Sequence, residues 1–251
     1  MKNNYCCFKS FQNILLKPKK KTETISQIIY GENFRILSKN KNWLKIRTQF
    51  DKYNGYIENK GMLNKFNPSH KVFKRNSIIY KAKEGRMVKT HEFLSFASKI
   101  KVLNKKKKFI EFENNRWIKK SDTKKITHKI KNFKKIFRYF LNSKYKWGGK
   151  HFSGIDCSGL LQIFFYYNNE FCPRDTKDQV KYFKKNVKLS KIKKNNLIFW
   201  KGHVAICLSN IDLIHAYGPR KKVIVMNIKK TIDEIEKKSN LKVKFIRNES
   251  N

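Results

Sequence analysis

Ile155-Asp-Cys-Ser-Gly-Leu-Leu-Gln-Ile-Phe-Phe-Tyr-Tyr167 is the stretch from which the rest of the chain can be read. Leu160, Leu161, Phe164 and Phe165 follow Cys157 at the spacing of one helix face, so a helix is predicted from about Cys157, with that cysteine opening its buried side. Asp156 stands just before it, at the natural N-cap position. A thiol placed there meets the positive end of the helix dipole and unpaired N–H groups, which favours the thiolate. By itself a cysteine on an apolar helix face is an ordinary core residue. Only a partner base makes it a nucleophile.

Candidates for that partner lie downstream. Strand-type runs recur at Leu197-Ile-Phe-Trp200, Val204 to Leu208, Leu213 to Tyr217 and Val223 to Met226, with a polar turn around Ser209 to Asp212. His203 opens the second run, after Lys201-Gly202, and His215 lies in the third. An odd hairpin loop, such as Ser209 to Ile211, puts both imidazoles on one sheet face as a diagonal pair about 7–8 Å apart, whereas an even loop puts them on opposite faces. The odd case predicts a Cys–His pair oriented by a third group. Cys157 attacks an amide carbonyl, His203 takes and returns the proton, and His215 fixes the tautomer of His203. The backbone N–H of Cys157 and the hydroxyl of Tyr145 are expected to face the oxyanion. Zinc is not expected, because no Cys-x-x-Cys pair exists and these residues lack a familiar ligand spacing. No phosphate loop or other cofactor signature stands out.

Upstream, Ile130, Phe133, Ile136, Phe137 and Phe140 recur at helical period and predict a second helix over Ile130 to Leu141. Before it the pattern changes to short β runs. Ser26-Gln-Ile-Ile-Tyr30, Asn33-Phe-Arg-Ile-Leu37, Trp43-Leu-Lys-Ile-Arg47 and Gly55-Tyr-Ile57 read as one small barrel. Phe93-Leu, Lys99-Ile-Lys-Val-Leu103, Phe109-Ile-Glu-Phe112 and Arg116-Trp-Ile118 read as a second, weaker copy. Asn67-Pro-Ser is the expected hinge between them, and Lys119 to Lys131 the expected linker onward. The expected parts are therefore 1–64, 65–122 and 123–251.

The chain has 251 residues, 39% of them apolar, enough for two or three cores. Its formal charge of +42 first suggests nucleic acid or an anionic membrane surface. The kind of base argues otherwise: 51 of the 60 basic residues are Lys and 9 are Arg, whereas bidentate reading of phosphates and guanine favours Arg. Together with abundant Asn, Ile, Phe and Tyr, this reads as AT-rich coding drift of a solvated surface, with no obligatory nucleic-acid partner. Five cysteines, an odd number without regular spacing, give no disulfide framework. Cys6 and Cys7 lack the preceding apolar segment that lipid attachment needs. No signal-length or membrane-spanning apolar run is found, so a cytoplasmic location is expected.

Taken in order, Tyr145-Lys-Trp-Gly-Gly149, Asp156-Cys-Ser-Gly-Leu-Leu-Gln162, Pro173-Arg-Asp-Thr-Lys-Asp-Gln179, Asn196-Leu-Ile-Phe-Trp200 with His203-Val-Ala-Ile, and Leu213-Ile-His-Ala216 resemble the successive motifs of the NlpC family of bacterial cell-wall cysteine peptidases. The barrels resemble the bacterial SH3 domains that accompany this catalytic domain. The resemblance implies an α+β fold: a papain-like catalytic domain preceded by two small SH3-like β-barrels, with Cys157, His203 and His215 at the catalytic positions. In the two-SH3 branch it implies cleavage between γ-D-glutamate and a diamino acid (diaminopimelate or lysine) in peptidoglycan peptides. There the first SH3 domain closes the site and selects a free N-terminal L-alanine. Glu23 and Tyr56, with Tyr53 as competitor for the second, match the carboxylate and tyrosine that bind the substrate amine, through a buried carboxylate beside a hydroxyl. Asp156, Ser158 and Asp175 match polar pocket positions, and Asp156 is also a helix cap. Asn195-Asn196 replaces the usual Gly-Asp. Muropeptide trimming in cell-wall recycling is the implied role; the alternatives are a catalytically inactive module binding wall fragments or nucleic acid, and an acyltransferase using the same Cys–His pair.

Overall fold

The computed structural model describes residues 4–249; residues 1–3 and 250–251, at the outer ends of the first and last expected parts, lie outside the described residues. The chain divides into two compact units, one ending at Lys129 and the other beginning at Ile130.

The N-terminal unit is all β. Its first sheet is built from β1 (Asn4–Cys6), β2 (Phe11–Leu15), β3 (Thr24–Ile29), β4 (Asn33–Asn40), β5 (Trp43–Thr48), β6 (Asn54–Glu58) and β7 (Leu63–Asn64), in the order β3-β2-β6-β5-β4-β1-β7. The alternation of Leu44, Ile46 and Thr48 buried against exposed Lys45 and Arg47 along β5 shows why the sequence makes a strand with one face in a core. That core gathers Cys7, Ile14, Ile28, Phe34, Leu44, Ile46 and Ile57. Next come β8 (His70–Val72), β9 (Asn76–Lys83), β10 (Arg86–Ser95), β11 (Lys99–Ile100), β12 (Asn104–Lys106), β13 (Phe109–Glu113), β14 (Arg116–Lys119) and β15 (Thr123–Lys125). They form a five-stranded sheet, β10-β9-β14-β13-β12, and a three-stranded one, β11-β8-β15. Glu84 and Gly85, both at positive φ, turn β9 into β10 with Lys83 opposite Arg86, the two-residue hairpin that needs left-handed backbone at both positions. Tyr30 belongs to the core of this second region, edge-on to Phe112 at 5.4 Å with its hydroxyl bonded to Glu113.

Two expectations change here. Neither sheet system closes into a barrel. Closure of the first would require β3 to pair with β7, and a two-residue strand offers too short a ladder. In the second the five-stranded sheet ends in β10 and β12, and the three residues of β12, Asn104, Lys105 and Lys106, are all exposed, a charged edge of the kind that resists further pairing. The Lys119–Lys131 stretch is also not simply a linker, because Thr123, Lys124 and Lys125 pair with Val72, Lys71 and His70.

The C-terminal unit contains α1 (Phe133–Phe140), the short hairpin β16 (Lys150–His151) and β17 (Gly154–Ile155), α2 (Cys157–Asn168), α3 (Thr176–Tyr182), β18 (Leu197–Trp200), β19 (His203–Cys207), β20 (Asp212–Tyr217), β21 (Lys222–Asn227), α4 (Ile228–Ser239) and β22 (Phe245–Arg247). Its main sheet is antiparallel, β21-β20-β19-β18-β22. Ile228 and Ile235 of α4 join Ile198, Trp200, Ala205, Cys207, Leu213 and Tyr217 in one core, and α2 lies against β19 and β20. The helix was expected to bury one face, yet all its residues from Cys157 to Asn168 are buried. Two of its polar side chains bond inside the protein: Gln162 Nε2 donates to Cys172 O at 3.0 Å. Asn168 accepts from Ile130 N and donates to Ile130 O, both at 2.9 Å. Phe133 of α1 stacks on Phe164 of α2, ring centroids 3.6 Å apart. No helix among the described residues is long and apolar enough to cross a membrane.

Candidate active site

Cys157 opens α2, and Asp156 caps it by accepting from Gly159 N at 2.7 Å. The carboxylate does more than cap. Its Oδ2 accepts from Gly148 N at 2.9 Å and from Arg174 Nη2 at 2.7 Å, and its Oδ1 accepts from Arg174 Nη1 at 3.0 Å. Ser158 Oγ donates to Asp156 Oδ1 at 3.2 Å and accepts from Arg174 Nη1 at 2.8 Å. The Asp156–Arg174 pair is almost completely sequestered, with side-chain exposures of 7% and 1%. Asp156 and Ser158, expected as pocket-lining groups, thus spend these bonds on each other and on Arg174, bracing the head of α2 against the Gly148–Gly149 turn. Gly159 is needed for that approach, since a Cβ there would fall 2.3 Å from Gly149 O. Asp175 heads α3, where its carbonyl accepts from Gln179 N at 2.9 Å and its side chain makes no capping bond. Gln179 Nε2 then reaches back to Ser158 O at 3.0 Å.

The imidazoles meet as the odd loop requires. Leu208 N donates to Asp212 O at 2.8 Å, leaving Ser209, Asn210 and Ile211 as the loop, and Ile206 faces Ile214 in register. His203 Nε2 lies 2.9 Å from His215 Nδ1. His215 is fully buried, stacked on Tyr217 at 4.7 Å, and its Nε2 lies 3.4 Å from Met226 Sδ. A tight turn at Lys201-Gly202, with Gly202 at φ +75°, joins Trp200 to its cross-strand partner His203. That left-handed backbone favours glycine, and it brings Gly202 O to 4.0 Å from Cys157 Sγ. The N–H groups of Val204 and Ser158 also bear on the sulfur. The thiol therefore lies against the main chain on both sides of His203. His203 Nε2 is turned to His215, and the neutral tautomer protonated at Nε2 leaves Nδ1 as the ring nitrogen open to accept a proton. In that tautomer Nε2–H donates to His215 Nδ1, and His215 Nε2–H points to the Met226 sulfur.

The charge states differ from the expectation of a ready thiolate. Burial, and then the negative charge of Asp156, push the Cys157 thiol up to about 12, although the Val204 and Ser158 N–H groups and Arg174 pull the other way. Burial lowers His203 to about 4, against a smaller opposite effect of Asp156. Burial and the neighbouring His203 push His215 far down as well. At neutral pH Cys157 is a thiol and His203 a neutral imidazole, because desolvation of the charged forms outweighs the helix dipole. Tyr145 is held protonated by burial and by its nearness to Cys157 and Asp156, so its hydroxyl is a donor. The short Nε2–Nδ1 contact between the histidines leaves no room for an ion between them, and among the described residues no group of three or more His, Cys, Asp or Glu converges as metal ligands.

Glu23 and Tyr56 lie in the N-terminal unit. Leu15 of β2 pairs with Thr24 and with Tyr56, and Leu16 N donates to Glu23 O at 3.0 Å, so the two residues flank β2 from either side. Glu23 is exposed and Tyr56 half-buried, which replaces the expected buried carboxylate. Tyr53 sits in the turn before β6, its N–H donating to Thr48 Oγ1 at 2.8 Å. Sequence reasoning missed Arg174 and Met226. Arg174 follows Pro173 with no local sign of its distant partner. Met226 closes a predicted strand two residues after Ile224, the cross-strand partner of His215, so strand alternation puts it on the histidine face.

Residues 142–238 match the sequence profile of the NlpC/P60 family, and residues 15–62 match that of the bacterial dipeptidyl-peptidase SH3 domain. Dipeptidyl-peptidase 6 of Lysinibacillus sphaericus is 34% identical over 77 residues, which are 31% of this chain and 28% of that protein. A probable endopeptidase NlpC homolog of Haemophilus influenzae is 29% identical over 85 residues, 32% of this chain and 45% of that protein. The chain thus spans less than half the length of either curated relative. In fold it is similar to the crystal structure of an NlpC/P60 family protein from Bacillus cereus, with a TM-score of 0.79 over 98% of this chain and 99% of that one at 17% identity. The chain therefore carries an NlpC/P60-family domain across residues 142–238 and a bacterial SH3 domain of the dipeptidyl-peptidase type across residues 15–62.

Proposed function

We propose that the protein is a cysteine peptidase that hydrolyses the bond between γ-D-glutamate and the diamino acid, diaminopimelate or lysine, of peptidoglycan peptides bearing a free N-terminal L-alanine. The observation that carries the chemistry is the Cys157 sulfur set against Gly202 and Val204, with His203 between them bonded to His215. Sγ attacks the amide carbonyl carbon while its proton passes to His203 Nδ1. The same proton goes to the leaving amine, and water then cleaves the thioester with His203 as base. Because thiol and imidazole are both neutral at rest, proton transfer accompanies attack. The developing oxyanion is met by the N–H of Cys157 at the head of α2 and by the Tyr145 hydroxyl. The choice of bond and of a free amine, with Glu23 and Tyr56 as its carriers, is supported by the likeness of residues 15–62 to the dipeptidyl-peptidase SH3 profile and by the relative named dipeptidyl-peptidase 6. Free muropeptides in the cytoplasm, as in cell-wall recycling, are the proposed substrate pool.

Purified protein is expected to release L-alanyl-γ-D-glutamate from the free tripeptide, to turn over the N-acetylated tripeptide at least tenfold more slowly, and to lose all activity in Cys157→Ala. Full activity in that variant would sink the mechanism. Fragment binding without turnover would make the chain a binding module, and transfer to an added amine in preference to water an acyltransferase.

A further inference from the structure

Arginine is scarce in this chain, and four of its nine guanidinium groups are bonded to named partners. Arg174 forks onto Asp156, Arg116 bonds Glu113 and Glu92, Arg220 bonds Glu234, and Arg247 bonds Lys184 O and Asn186. Arg35 and Arg47 are different. They stand directly opposite each other in the β4–β5 register, in a row that continues to Asn4 on β1 and Asn54 on β6. Directly opposed residues share a sheet face with Cβ atoms about 4.5–5.5 Å apart, and like charges there are destabilising. No hydrogen bond or ion pair to either guanidinium is formed among the described residues, and both side chains are exposed.

The two arginines line a concavity of about 300 Å³ together with Lys52, Asn4, Thr48 and Gln49, and no carboxylate lines it. Its rim is already ordered. Gln49 Nε2 donates to Asn4 Oδ1 at 2.8 Å, and Lys52, at φ +58°, donates from Nζ to Gln49 O at 3.0 Å. Asp51, the neighbour of Lys52, is turned to Thr48 Oγ1.

The geometry points to a binding site for a phosphomonoester group on the β1–β4–β5 face of the N-terminal unit, held by Arg35, Arg47 and Lys52. Two planar forks and an ammonium match a group with charge near −2 and three terminal oxygens. A carboxylate, with two oxygens and one charge, leaves one fork unpaired. Lysine does not replace arginine in this role, because its ammonium is a point charge without the fork. Substituting lysine therefore separates a built site from the general positive field of the surface.

The test is calorimetric titration of the full chain with glycerol 3-phosphate and with inorganic phosphate in 150 mM salt. One saturable site is expected, weakened at least tenfold in Arg35→Lys/Arg47→Lys, which keeps the net charge and replaces only exposed side chains. Arg86→Lys/Arg138→Lys, at two other arginines without a partner among the described residues, is expected to bind as the wild type does. Absence of phosphate binding overturns the site. Equal binding by the Arg35/Arg47 variant, or equal loss in the Arg86/Arg138 variant, reduces it to bulk charge. Acetate binding as tightly as phosphate overturns the ligand class. Oligothymidylate binding that depends on Arg35 and Arg47, without phosphomonoester binding, transfers the surface to nucleic acid.

Discussion

The pair Cys157 and His203 is set by desolvation at the level of single residues. With the thiol near 12 and the imidazole near 4, kcat/KM should hold level from neutrality down towards pH 4. An acid limb at pH 6–7 in the rate profile would contradict this. Alkylation of Cys157 by iodoacetamide should climb about tenfold per pH unit through pH 9, whereas a preformed thiolate would give a plateau; the other four cysteines are more deeply buried. The same shifts govern stability. The unfolded chain binds protons on these histidines first, so their contribution is full above about pH 6.5 and is lost as pH falls towards 4. Met226 belongs at this scale too. Met226→Leu removes the acceptor 3.4 Å from His215 Nε2 and should lower kcat roughly fivefold with KM unchanged, the worth of about 1 kcal/mol for a hydrogen bond. An unchanged kcat, or a loss confined to KM, would remove Met226 from the relay.

At the scale of elements, what holds α2 in place is ionic and buried. Arg174, arriving from the segment before α3, bonds the cap of α2, Ser158 and the Gly149 carbonyl at once. A buried pair broken from one side leaves an uncompensated charge and costs about 3–5 kcal/mol. Arg174→Met should therefore lower stability by about that amount, measured by urea unfolding followed by tryptophan fluorescence, and should depress activity by loosening the helix head. A loss under about 1 kcal/mol would show that packing alone fixes the helix. The helix N-terminus at Cys157 was legible in the apolar spacing after it, and the strand runs near His203 and His215 in their β-type residues. α3 and α4 were not. Thr176–Tyr182 is short, and Ile228–Ser239 hides its buried Ile228, Thr231 and Ile235 among lysines and glutamates.

At the scale of the whole molecule, 60 basic residues against 18 acidic ones make self-repulsion a general load on the folded state. Raising salt from about 20 mM to about 0.5 M shortens the screening length to a few ångströms. The thermal midpoint should rise accordingly, by several degrees, and a flat or falling midpoint in scanning calorimetry would mean the charges are already well spaced. The order of motifs and the alternation of strands could be read without coordinates, because they depend on neighbours three, four or two residues apart along one chain. So could the condition for the two histidines to meet, since loop parity is local. Whether the sheets close, whether Asp156 meets an arginine, and whether the thiol is charged depend on burial and on groups far away in sequence. Desolvation energy belongs to a place in the folded protein, and no run of letters carries it.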